Sequence, residues 1–180
     1  MDHDFLLLDR DRDGEWAPLR FIHDPRAIHL GHFFVWYIQD TLAWVPTTNP
    51  SRREPHHGLC MYGPTIIEAE GAGVAEQVFR GWAELLAIGP PRLELRGPYG
   101  WDAADHAGDD EGVSQPEAGT DGPGFDDDEL VGLRVSQLEG GYDHLQFDRD
   151  ELVGVLRQLV AWCREVSSGE GRFYLYHGGI

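Results

Sequence analysis

Apolar and polar positions alternate along the chain with a period that changes several times. Phe5–Leu8 is a short apolar run that predicts a buried strand. Pro18–His23 predicts a second, with Asp11–Gly14 (DRDG) turning the chain between them. Asp24-Pro25 reads as a helix start, a capping carboxylate followed by proline at the first helical position. In HFFVWYIQDTLAWV, Phe34, Ile38, Leu42 and Val45 form one stripe at helical spacing and Pro46 stops the element. Phe33–Ile38 alone would also suit a buried strand; helix is the preferred reading.

Further on, Thr65–Glu70 predicts a strand and Gly71–Gly73 a turn. Val74, Val78, Trp82, Leu85 and Leu86 then repeat at helical spacing up to Gly89-Pro90-Pro91. Arg92–Arg96 alternates as a half-buried strand with Leu93 and Leu95 inward, completing a strand–helix–strand unit. Leu130–Leu138 and Tyr142–Phe147 predict the arms of a hairpin turned by Glu139-Gly140-Gly141. Asp148 is placed to cap a helix, with Glu151 three residues on in a variant of the capping box. Leu152, Leu156, Leu159, Cys163 and Val166 form its buried stripe, Ser168-Gly169 its end, and Arg172–Tyr176 a last strand. This mixed order predicts one α+β domain over 1–180: a mostly antiparallel sheet with helices packed on it.

Charge changes the picture at one place. The chain has 32 acidic residues against 14 basic ones, all arginine, for a net charge of −18. The segment from Asp102 to Glu129 holds 11 of those acids and no arginine, and is rich in glycine and proline. It buries too little apolar surface to offset its ordering entropy and is expected to be a flexible insert within the domain. Such acidity disfavours nucleic acid and anionic membranes, whose recognition depends on cationic side chains. It favours a basic protein partner. Without a positively charged, apolar leader, and with no apolar run longer than Phe33–Ile38, the chain is expected to be cytoplasmic, with Cys60 and Cys163 as free thiols.

Candidate chemistry is sparse. DRDRDG (Asp9–Gly14) matches the start of a calcium loop, but Arg20 stands where a bidentate glutamate is needed, which favours a turn. His56, His57 and Cys60 offer borderline and soft donors in one segment, with His29 and His32, or His177, able to complete a tetrahedral metal site, or Cys60 to serve as a nucleophile. A structural loop is the competing reading, since neighbours on an extended segment point opposite ways. Glu68 and Glu70 share one side of the expected strand, where a solvated face competes with acid–base work. Phe33, Phe34, Trp36, Tyr37 and Trp44 predict core packing, or partner anchors if exposed. No cofactor motif is present in the sequence, and none is expected.

GLCMYGPTII (Gly58–Ile67) before a helix carrying Trp82, GPPRLELRGPYGW (Gly89–Trp101) after it, and a closing helix followed by FYLYHGGI (Phe173–Ile180) form a layout that resembles small acidic immunity proteins. These belong to bacterial polymorphic-toxin and contact-dependent inhibition systems. The resemblance implies a non-enzymatic protein that binds and neutralises one cognate toxin. It carries over no binding residues. From charge and exposure, the expected partner surface is Asp109, Asp110, Glu111 and Asp126, Asp127, Asp128, Glu129, with Trp101 and Phe125 as apolar anchors. The alternatives are a metal- or thiol-dependent enzyme at His56, His57 and Cys60, or an acidic scaffold without catalysis.

Overall fold

The computed structural model describes residues 2–14, 24–95 and 145–179. The expected strand at Pro18–His23, the first hairpin arm at Leu130–Leu138 and the acidic insert therefore lie outside the described residues. The chain divides into two compact units, Met1–Leu93 with Gln146–Ile180, and Glu94–Leu145. Of the second, only Glu94, Leu95 and Leu145 are described.

Strands β1 (Asp2–Asp9), β2 (Ile28–Gly31), β3 (Pro46–Asn49), β4 (Glu54–His57) and β5 (Pro64–Ile67) join a strand near the C-terminus, Phe173–Gly178, in one sheet. Counting β6 (Arg92–Leu95) and β7 (Leu145–Asp148), that strand is β8, and the sheet order is β2-β1-β8-β5-β3-β4. Every pairing in it is antiparallel. Helices α4 (Ala69–Ala87) and α5 (Arg149–Ser168) pack against each other and the sheet, following a one-turn α1 (Arg10–Asp13) and short α2 (His32–Tyr37) and α3 (Gln39–Leu42). The fold is α+β, as the element order implies.

Period-2 alternation sorts the central strands into two faces. Leu6 and Leu8 of β1 lie opposite Tyr176 and Tyr174 of β8, and Ile66 of β5 lies on the other side of Tyr176. These five residues form one buried cluster, against which Ala27 packs. On the opposite face, Phe5 lies across from His177, and His177 from Thr65. That face meets the helices: the Phe5 and Phe79 rings sit edge to face at 6.0 Å.

The helices follow from their sequence. In α5, Leu152, Leu156, Leu159, Cys163 and Val166 are all buried, the stripe the 3.6 period predicts. The Glu151 N–H donates to Asp148 Oδ1 at 2.9 Å, closing the expected cap. Burial of Cys163 pushes its thiol up to about 12, and both cysteines are free.

Helix α4 departs from expectation at its start and ends, as expected, before Gly89. It begins at Ala69, so Glu68 is its N-cap and Glu70 lies in its first turn; the two do not share a strand face. Gly71 does not turn the chain. A Cβ there would stand 1.9 Å from the Pro46 carbonyl oxygen, so glycine lets the helix meet β3 at backbone contact. The buried stripe is Ala72, Ala75, Val78, Phe79, Ala83 and Leu86; of the expected positions Val78 and Leu86 are buried, while Leu85 is 55% exposed.

Three further elements differ. Asp24-Pro25 starts no helix: Asp24 Oδ1 accepts the Arg26 N–H at 2.9 Å, a local turn that leads into β2. The 32–45 segment is helical but breaks at Ile38 into α2 and α3; its stripe of Phe34, Ile38, Leu42 and Val45 is still buried. Strand β6 follows α4 but pairs with β7 in a separate two-stranded sheet, so the strand–helix–strand order does not build one sheet.

Candidate functional site

The helix-covered face ends in a row of imidazoles. His3 stands two residues before Phe5 on β1, and so on the same face. His177 lies opposite Phe5 on β8, which sets the two rings diagonally across the β1–β8 ladder. The end of β1 pairs with β2, and α2 begins immediately after β2 with His32 as its first residue. Three distant segments thus bring three histidines into one line.

His3 Nδ1 lies 2.7 Å from His177 Nε2, and His3 Nε2 lies 3.0 Å from His32 Nδ1. The rings are nearly coplanar, at 11° and 7°, with centroids 5.0 and 5.2 Å apart. A nitrogen contact plus two ring radii accounts for those spacings, so the rings are joined edge to edge by N–H···N bonds and not stacked face on face. His3 and His177 are both 0% exposed, while His32 is partly exposed. The line therefore runs from the surface into the core.

Its inner end stops at a bare nitrogen: His177 Nδ1 is buried and has no hydrogen-bond partner among the described residues. Phe5 covers the ring at 4.9 Å. The neighbouring Thr65 hydroxyl accepts the Cys60 N–H at 2.8 Å. A buried N–H without an acceptor costs more than a bare lone pair, so the favoured tautomer carries the proton on Nε2 of each ring. His177 then donates to His3, His3 to His32, and His32 outward.

Burial holds the row neutral. It lowers His3 from the ordinary 6.5 to about 4, helped by His32 and opposed by Asp2 and Asp4. Burial lowers His177 well below the ordinary value, with His3 adding to the effect. His32 is lowered by burial and by the positive amino terminus. Chemically, such a row can exchange tautomers in concert, moving a proton between its partly exposed end and the core.

The residues anticipated from sequence are placed differently. His56 and His57 lie on β4, at the exposed edge of the sheet, and Cys60 lies in the loop beyond Gly58. Among the described residues, no group of three or more His, Cys, Asp or Glu side chains is arranged to hold a metal ion. His32 and His177, read as completing that group, join His3 instead, and His29 pairs with Asp4 on the opposite face at 2.7 Å. His3 was missed, although the alternation DHDF places it on the face of Phe5.

In DRDRDG, Asp9 caps the single turn α1 and takes up Arg172 at 2.5 Å, while Asp13 pairs with Arg26 at 3.3 Å. These carboxylates serve the fold. The aromatic cluster splits: Phe34 is buried, Trp44 is 65% exposed. Trp101, Asp109, Asp110, Glu111, Phe125, Asp126, Asp127, Asp128 and Glu129 lie outside the described residues. Among the described residues, no helix is long and apolar enough to cross a membrane. No family model, no curated protein and no solved structure matches the chain.

Proposed function

We propose that this protein is a binding protein for a cationic protein partner, and specifically an immunity protein that neutralises a bacterial toxin by occluding a basic surface. The observation that carries the reading is the uneven charge: 11 carboxylates without one arginine between Asp102 and Glu129, in a chain of net charge −18. A concentrated field of one sign accelerates encounter with the opposite sign and competes with phosphate for a basic cleft.

The described body supports this by contrast. Five of its arginines are engaged in ion pairs: Arg172 with Asp9, Arg26 with Asp24 and Asp13, Arg80 and Arg164 with Glu76, Arg10 with Glu68. They are held within the body's own ion pairs, away from the uncompensated segment in sequence. The layout of Gly58–Trp101 and the closing helix and strand, which resembles that of acidic immunity proteins, favours the same reading.

The test is capture of binding proteins from the source organism at low ionic strength, followed by association kinetics with the purified partner. The expected partner is strongly basic and toxic alone. Replacing Asp126, Asp127 and Asp128 by asparagine should slow association by about tenfold or more and flatten its salt dependence. An unchanged rate and salt slope would remove the acidic segment as the steering surface.

A further inference from the structure

The row of imidazoles has a proton capacity that its hydrogen bonds fix. Each N···N contact needs one N–H and one lone pair. With three protons on three rings, both contacts are made and His177 Nδ1 is left bare. A fourth proton keeps both contacts only by putting an N–H on that buried nitrogen, which has no acceptor among the described residues. A fifth forces two N–H groups to face each other and breaks the row. Acidification therefore cannot be absorbed without exposing rings to water.

Among the described residues β2 is an edge strand, paired with β1 through Asp2↔Gly31 to Phe5↔Ile28, and it runs directly into α2. His3 and His32 bind the start of β1 to the start of α2, and His177 fastens both to the sheet centre.

We propose that His32, His3 and His177 form a proton-operated latch that holds the β1–β2 edge and the start of α2 closed while neutral and releases them when the row takes up protons. The charged groups acting on the rings are Asp2 and Asp4 of β1, the amino terminus and the imidazoles themselves. Asp4 is also engaged by His29 of β2 on the other face. From α4, Phe79 reaches this region through Phe5, and Phe33 and Trp36 of α2 lie against His32. The two aspartates favour uptake; dry aromatic surroundings and mutual repulsion oppose it.

The direction follows from the lowered affinities. His3 binds a proton near pH 6.5 when released but only near 4 when latched. Latching is thus at full strength above about pH 6.5 and weakens as pH falls toward 4, by up to about tenfold per pH unit for each proton taken up.

Amide hydrogen exchange on the full chain, corrected for intrinsic rates, tests the proposal between pH 7 and 4. The opening constant for Asp2–Phe5 and Ile28–Gly31 should rise about tenfold per pH unit below pH 6, with α4 and α5 unchanged. His3→Gln, whose amide donates and accepts but does not titrate, should weaken the pH dependence of that opening, leaving only the part that His32 and His177 contribute. Ring ¹⁵N shifts of the unmodified protein give a second reading that needs no variant: ring protonation and edge opening should share one midpoint. A flat edge, opening that spreads equally through α4 and α5, the same acid response in His3→Gln, or separate midpoints would each overturn the latch.

Discussion

The two faces of the central strands are buried to a similar degree but by different chemistry. On one face, Leu6, Leu8 and Ile66 surround Tyr174 and Tyr176, and the Tyr174 hydroxyl has an outlet, donating to the Gly14 carbonyl at 2.9 Å. On the other, Phe5, Ile67 and Leu175 meet the helices, and the same strands end in His3 and His177, whose line stops at an unpartnered nitrogen. Both faces bury polar groups. Among the described residues, only the second buries imidazoles, which can gain charge between pH 7 and 4, so buried groups respond to acid on one side of the sheet.

The largest expected effect lies on the helical side. Phe79→Ala removes a fully buried ring that packs on Phe5 and should cost about 3–5 kcal/mol in denaturant unfolding. The cost should be the same at pH 7 and pH 6, since the ring does not titrate. Next comes Gly71→Ala, which forces α4 away from the Pro46 carbonyl and should cost about 1–3 kcal/mol, with exchange rising first in β3 and the start of α4. Smallest is Tyr174→Phe on the opposite face, which removes one hydrogen bond for about 1 kcal/mol and should leave the pH dependence of stability unaltered. A pH-dependent loss in Tyr174→Phe would erase the distinction between the faces.

These positions also separate what local sequence carries from what it does not. The α5 stripe and the Asp148 cap are legible because each depends on residues within a few turns of one another. Gly71 reads as a turn because its reason, the backbone of Pro46, is distant in sequence. Hairpin β3–β4, with Pro46 and Pro55 and four exposed residues in β4, carries no apolar alternation and reads as a loop. The row of imidazoles is the extreme case: His3 and His177 are 174 residues apart and meet only because β1 and β8 pair. The grouping of His56, His57 and Cys60 in one short segment draws attention to two histidines that the fold leaves at an exposed edge.

The neutral, hydrogen-bonded state of the three rings is the point on which the contrast between the faces rests. Nitrogen NMR of the uniformly labelled protein at pH 7 reads it directly. The account predicts three neutral rings protonated at Nε2, with scalar couplings across two N–H···N bonds, His177 Nε2 to His3 Nδ1 and His3 Nε2 to His32 Nδ1. A charged ring at that pH, or missing couplings with His177 protonated at Nδ1, would contradict it.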